Sequence, residues 1–212
     1  MRQIIRDFVK VCGENLPILE PIYEFGSYQI KGQEKLANLR PFFPQKDYIG
    51  ADMRKGPGVD VILDLHDIKL PSESVGTVLV LDTLEHVEFP RIAINEIYRI
   101  LKKNGVLIIS SVMNFPIHSF PYDFWRFTPE AFKSLLREFL TIIVDFVGNP
   151  KFPHTVIGIG FKDTVSENHI QNLKESLISW KEFYNSKNKN FPKSLIPPLV
   201  LRVFKKFFKK NL

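Results

Sequence analysis

Four short apolar runs in the first ninety residues each end at a carboxylate, and this series constrains the fold more than any other feature of the chain. Glu24-Phe25-Gly26-Ser27 closes the first run, and Asp52 follows Tyr48-Ile49-Gly50-Ala51. Asp64 follows Val59 to Leu63, and Asp82 opens Asp82-Thr83-Leu84-Glu85-His86-Val87 after Gly76 to Leu81. Gly76 to Leu81 is a continuous apolar run of the kind buried on both faces of a sheet. Ligands of open α/β sheets sit beyond the carboxyl ends of the strands. Acids placed there can accept hydrogen bonds from ribose hydroxyls and an amino group, and they repel phosphate. The series predicts a nucleoside-binding edge.

The remaining punctuation fills in the order of elements. Residues 2–12 read as a lead-in helix stopped at Gly13, and Gly32 to Arg40 as a helix ended by Pro41 and Pro44. The strands are expected at Leu19 to Phe25, Lys46 to Ala51, Val59 to Leu63, Gly76 to Leu81 and Val106 to Val112. Pro90 suits a first helical turn, Ile94, Ile97, Tyr98 and Leu101 repeat at helical spacing, and Asn104-Gly105 is the expected stop. Thr128-Pro129-Glu130 offers an N-cap with proline at the first helical position, for a helix to about Glu138. Thr141 to Val147 and Thr155 to Phe161 are joined too closely for a helical crossover, which implies an antiparallel pair. Ile170, Leu173, Leu177 and Trp180 line a further helix, and Asn185 to Asn190 reads as a polar linker. The expected class is α/β: seven strands, five of them parallel and alternating with helices, then a terminal hairpin.

Composition narrows the partners. At 212 residues, 44% hydrophobic and 25% charged, the chain has the makeup of a soluble globular protein. The start lacks the apolar core of a secretion signal, and no run approaches the roughly 18 apolar residues of a membrane span. The single cysteine, Cys12, excludes an internal disulfide and a cysteine-rich metal site, so a cytoplasmic home and no metal are expected. The net charge of +6 is concentrated at one end. Eight basic residues and no acid lie in 187–212, leaving 21 Lys and Arg against 23 Asp and Glu over 1–186. A main body near −2 argues against a nucleic-acid groove.

The stretch from Leu84-Glu85-His86-Val87 through Ile97-Tyr98-Arg99-Ile100-Leu101-Lys102-Lys103-Asn104-Gly105 resembles the "LEHV … ExxRxLKPGG" segment of class I S-adenosylmethionine-dependent methyltransferases, in their small-molecule branch. Phe115-Pro116-Ile117-His118 followed by Tyr122-Asp123-Phe124-Trp125-Arg126-Phe127-Thr128-Pro129 is similar to a segment of bacterial members linked to surface-glycan pathways. The resemblance covers roughly residues 15–162. It implies a Rossmann-like seven-stranded sheet of order 3-2-1-4-5-7-6, S-adenosyl-L-methionine as cofactor, and a small-molecule or glycan acceptor.

Carried over position by position, the resemblance places Glu24, Gly26 and Ser27 in the cofactor loop, with the acid toward the methionyl amino end. Asp52 becomes the acceptor of both ribose hydroxyls, with Met53 beside it. Asp64, Leu65 and His66 fall in the adenine-side loop, and Asp82 meets the methionine and acceptor region. The chain departs from the family where Tyr28 and Ile30 replace the later loop glycines, with Gly32 as a candidate late glycine. That departure favours the alternative of a non-catalytic binding module. Against a dinucleotide, Gly26-Ser27-Tyr28-Gln29 lacks the three-glycine fingerprint that a pyrophosphate requires. A nucleic-acid methyltransferase is disfavoured, because Asp82-Thr83-Leu84-Glu85 stands where an amino-methylating Pro-Pro run is usual.

Beyond the fifth strand, Phe115 to Phe127 combines aromatic surfaces with polar groups, the makeup of a substrate-facing lid. His118 and Asp123 are the candidate bases, and Tyr122, Trp125 and Arg126 the candidate acceptor contacts, Arg126 for an acidic group. The alternative is a packed surface lid whose aromatics serve the core. Glu85 and His86 read as braces of the loop after strand four rather than as chemical groups. The division expected is a catalytic domain over 1–186, then a linker and basic amphipathic helix over 187–212. Leu199, Val200, Leu201, Val203, Phe204, Phe207 and Phe208 share one side of that helix, and five basic residues the other. Such a helix can lie on an anionic membrane surface, on its own domain or on a partner.

Overall fold

The computed structural model describes residues 1–119 and 121–189. The basic amphipathic helix expected over 198–212 lies outside the described residues. Seven strands form one sheet in the order β3-β2-β1-β4-β5-β7-β6. They are β1 (Ile22–Phe25), β2 (Tyr48–Asp52), β3 (Val61–Ile62), β4 (Val75–Leu81), β5 (Leu101–Val112), β6 (Thr141–Asn149) and β7 (Phe152–Phe161). The first five run parallel, while β7 is antiparallel to both β5 and β6. Strand order and the terminal hairpin are those expected.

Apolar faces on the sheet decide where the helices sit. Helices α3 (Pro90–Ile100) and α4 (Pro129–Leu135) cover one face, where Ile94, Ile97, Phe132 and Leu135 pack on Val78, Val80, Leu107 and Ile109. Helices α1 (Gln3–Asn15) and α5 (Glu167–Lys189) cover the other. The rings of Phe8 and Trp180 meet at 5.6 Å there, and Trp180 Nε1 donates to the Ile4 carbonyl at 3.1 Å. Burying a side chain of that size contributes roughly 1.5–3 kcal/mol. Thr128 caps α4 as expected, its hydroxyl accepting from Ala131 N–H at 3.1 Å.

Several boundaries differ from expectation. Helix α1 continues through Gly13 to Asn15, since its buried stripe of Ile5, Phe8, Val9 and Cys12 reaches on to Leu16. The helix expected over Gly32 to Arg40 shrinks to α2 (Glu34–Ala37), which buries no residue, followed by a 3-10 turn over Arg40–Phe42. No helix separates β2 from β3 or β3 from β4. Loop 53–60 turns back at once, with Asp60 N–H on the Gly50 carbonyl, and leaves β3 two residues long. Asn104-Gly105 does not stop α3, which ends at Ile100. Strand β5 starts at Leu101 and bulges, because Val75 pairs with Leu101 and Thr77 with Val106. Helix α4 ends at Leu135 rather than Glu138, and α5 runs through the linker expected at 185–190 as far as Lys189.

Candidate active site

The carboxyl ends of β1 and β2 are joined by the turn that follows β1. Gly26 has φ +82°, a left-handed conformation, and a Cβ there would stand 2.2 Å from Thr83 Oγ1. Glycine is required on both counts. Gly26 and Ser27 both donate their N–H to the Ala51 carbonyl, and Ser27 is buried. The Tyr28 ring rests on Gly56, and Gln29 N–H donates to the Pro57 carbonyl at 2.8 Å. The 53–60 loop thus holds the turn where the family uses further glycines. Gly32, also at positive φ, sits in an exposed turn with its N–H on the Glu34 carboxylate.

Two acids on this side have opposite surroundings. Asp52 is 8% exposed and accepts from Tyr28 N–H at 3.4 Å, Arg54 N–H at 2.9 Å and Arg54 Nε at 3.2 Å. A carboxylate offers about four acceptor positions, so capacity remains for a hydroxyl. The Arg54 guanidinium lies 4.5 Å over the Tyr28 ring. Glu24 shares the α1/α5 face with Tyr48, whose hydroxyl donates to it at 2.7 Å. Burial pushes Glu24 up to about 7, against the opposing pull of the Tyr48 bond and the Arg40 charge. Met53 and Ile30 are exposed apolar side chains of the loops after β2 and β1.

Beyond β3, Asp64 turns back on its own loop, accepting from His66 N–H at 2.8 Å and facing His66 Nδ1 at 2.9 Å. Partial burial acts to raise the Asp64 pKa, but the His66 bonds hold it below the usual carboxylate range. Phe89 N–H donates to His66 Nε2 at 3.2 Å, which makes Nδ1 the protonated nitrogen. The Leu65 side chain lies in the core with Ile68 and Val75 rather than on the ligand edge, a correction to its expected place as a cofactor contact; only its backbone is left to serve there.

Contacts between distant segments build the other half of the edge. Asp82, at φ +47°, receives both guanidinium branches of Arg2 at 2.8 Å and the Ser110 hydroxyl at 3.0 Å. Arg2 also donates to Thr155 Oγ1 at 2.6 Å. Glu85 is fully buried, and its Oε2 accepts from Ser111 Oγ at 2.6 Å. Burial and the neighbouring Asp82 charge push Glu85 well above the usual carboxylate range. Its carbonyl accepts from Phe124 and Trp125 N–H, the bracing role expected of this turn. Burial lowers the His86 pKa.

The segment after β5 is fastened by Asp123. Its carboxylate takes Arg126 Nη1 at 2.6 Å, Arg126 Nη2 at 2.7 Å and His118 N–H at 2.7 Å. Arg126 and these bonds hold Asp123 far below the usual range. A carboxylate so engaged is a poor proton acceptor, so Asp123 serves His118 as an anchor rather than as a base. Arg126 is spent on Asp123 and on the carbonyls of Phe115, Trp125 and Pro116, which leaves it unavailable for an acidic acceptor. Tyr122 and Trp125 are exposed, Trp125 with its Nε1 on the Glu88 carbonyl. Arg2, Tyr48 and Ser111 were missed in the sequence, since nothing in their local pattern marks partners 24 to 153 residues away, and Arg54 was missed although Asp52 is only two residues from it.

Comparison with known proteins agrees with this geometry. Residues 44–109 match the family model described as a methyltransferase domain. No curated protein matches. Solved structures share the fold. One is a chain of the Haloferax volcanii complex containing the Trm112 methyltransferase activator, 15% identical over 78% of this chain and 92% of that one, TM-score 0.56. A Thermotoga maritima S-adenosylmethionine-dependent methyltransferase is 19% identical over 77% of this chain and 100% of its own, TM-score 0.54. Another from Archaeoglobus fulgidus is 16% identical over 74% and 94%, TM-score 0.55. The sheet order defines the class I methyltransferase architecture. The match over residues 44–109 and the shared sheet order show the fold of these methyltransferases in this chain.

The donor set suits S-adenosylmethionine, the cofactor that the resemblance implies. Glu24, Asp52 and Asp64 stand at or just beyond three adjacent strand ends beside exposed Met53, and among the described residues no glycine-rich helix start is present to cradle a phosphate. When bound, S-adenosylmethionine supplies an electrophilic methyl group on a positively charged sulfur. Among the described residues, no helix is long and apolar enough to cross a membrane.

Proposed function

We propose that the chain methylates an oxygen or nitrogen of a small molecule or a glycan, such as a cell-envelope precursor. The observation that carries this reading is the acceptor side of the edge. There Ile117, Tyr122, Phe124 and Trp125 are exposed on a segment anchored by Asp123 and Arg126, around the paired imidazoles of His86 and His118. Exposed aromatic faces held on a rigid segment suit stacking against a ring or sugar. Asp52, Glu24 and the Gly26-Ser27 turn bind and orient the donor. The lid and the histidine pair then set the acceptor in line, so that positioning carries most of the acceleration. His118 presents an unprotonated ring nitrogen on the acceptor side, with Asp123 behind it.

The discriminating experiment is calorimetry on two variants. Asp52→Ala is expected to abolish donor binding, and His118→Ala to leave binding intact while slowing turnover of a cell-envelope precursor. Unchanged donor affinity in the Asp52 variant would sink the site assignment. The basic segment 198–212 favours a cytoplasmic protein with peripheral contact at an anionic membrane surface, and salt-sensitive flotation of the full chain with anionic but not neutral vesicles is the outcome that supports it.

A further inference from the structure

Glu85 Oε1 is the only buried side-chain polar atom among the described residues that has no hydrogen-bond partner. Leaving a buried acceptor unmade costs about 1–3 kcal/mol, and such an atom calls for an explanation. Its neighbours provide one. The rings of His86 and His118 meet edge to face at 4.7 Å, and one ligand atom from each of Glu85, His86 and His118 lies within 4.8 Å of the other two.

The ring nitrogens are set for the same purpose. His86 Nδ1 lies 2.5 Å from the Tyr122 carbonyl, and His118 Nδ1 lies 3.2 Å from the Pro116 carbonyl. A carbonyl only accepts, so both rings carry their proton on Nδ1 and keep the lone pair on Nε2. His118 Nδ1 is also 3.3 Å from Asp123 Oδ2. Ligating histidines almost always donate their other N–H to a carbonyl or carboxylate in this way, which orients the ring and raises its basicity. Ser111 on Glu85 Oε2 completes the outer support and leaves Oε1 without a partner.

We propose that Glu85, His86 and His118 bind a divalent transition-metal ion through Glu85 Oε1 and the two Nε2 atoms. Two imidazoles and one carboxylate suit ions of the Zn²⁺, Fe²⁺ and Mn²⁺ series and leave coordination positions open. Metal–ligand distances of about 2.0–2.2 Å bring the ligand atoms roughly 3–3.8 Å apart, a closure of up to about 1–2 Å that rotation of the side chains supplies. The open positions face the exposed aromatic segment, where an acceptor hydroxyl or carboxylate oxygen would complete the shell. That use rests on the proposed methyl transfer, whereas the ion itself rests on the three side chains alone. The site replaces the sequence-based expectation of no metal, which counted cysteines and could not place Glu85 against a histidine 33 residues away.

The test is calorimetry of the untagged, chelator-stripped full chain with Zn²⁺ and no methyl donor, so that its failure is separable from failure of the proposed reaction. One equivalent is expected, with Glu85→Gln and His118→Ala each weakening it at least about tenfold and the distant His169→Ala leaving it unchanged. X-ray absorption of the Zn²⁺ form is expected to show nitrogen and oxygen scatterers at about 2.0–2.2 Å. Absence of Zn²⁺ binding, or wild-type binding in either folded variant, overturns the site. If Glu85→Gln does not fold, as read by circular dichroism, the half-buried His118→Ala decides.

Discussion

The half of the edge proposed to bind the donor and the half proposed to meet the acceptor are built by different kinds of contact. At the ends of β2 and β3, the charged partners of Asp52 and Asp64 are Arg54 and His66, two residues away, while Tyr28 N–H on Asp52 and Tyr48 on Glu24 come from 24 positions away, on the neighbouring strand or its turn. At the ends of β4 and β5, Asp82 is met by Arg2, Glu85 by Ser111, and His86 by His118, partners 80, 26 and 32 positions away in the chain. Local contacts form as soon as the strand ends do. Long-range contacts exist only once the whole sheet and α1 have assembled, so they report on tertiary packing.

The contrast can be broken most sharply at Gly26. Gly26→Val would force a branched residue into positive φ against Thr83. The expected loss is about 3 kcal/mol in urea unfolding, the sum of left-handed strain and overpacking. Wild-type stability would mean that the donor turn is not the rigid element described.

Glu24 tests the donor half through pH. Its folded pKa lies near 7, above the ordinary glutamate value. Between the unfolded value and 7 the native state holds a proton that the unfolded state has released, so stability falls as pH rises through this window. Glu24→Gln is expected to flatten that fall, which amounts to about 2–3 kcal/mol between pH 4.5 and 8. Parallel pH profiles for variant and wild type would show that Glu24 is ionised in the native state.

The acceptor half is probed at Arg2. Arg2→Met removes both bonds to Asp82 and the one to Thr155, from a site that is neither fully buried nor free in solvent. The expected cost is about 2 kcal/mol, between the values for buried and surface pairs. A double-mutant cycle with Asp82→Asn should recover most of it as coupling. Additive effects would mean that α1 is held by its apolar stripe alone and that the acceptor half is less dependent on remote contacts than its geometry indicates.

Much of the fold was legible because strands declare themselves. Val75–Leu81 and Val106–Val112 are uninterrupted apolar runs, and their order follows from alternation with helices and a short final connection. The misread boundaries share one cause. Gly13 and Asn104-Gly105 read as local stops in the sequence, yet α1 passes through the first on the strength of its buried stripe, and β5 absorbs the second as a bulge. Packing across the sheet outweighs the small local cost of a glycine in a helix, about 1 kcal/mol.

At the site, the sequence alone determined which acids stand at the carboxyl edge, because strand direction and run length place the end of each strand without reference to any partner. It also determined the aromatic character of the segment after β5. Only the tertiary structure decided what each acid can do. Asp123 and Glu85 look equivalent as letters, but one is drained by Arg126 and the other is buried with an oxygen left unpaired. The ionisation of a carboxylate is set by the charges and hydrogen-bond donors within a few ångströms, and here those come from segments far away along the chain.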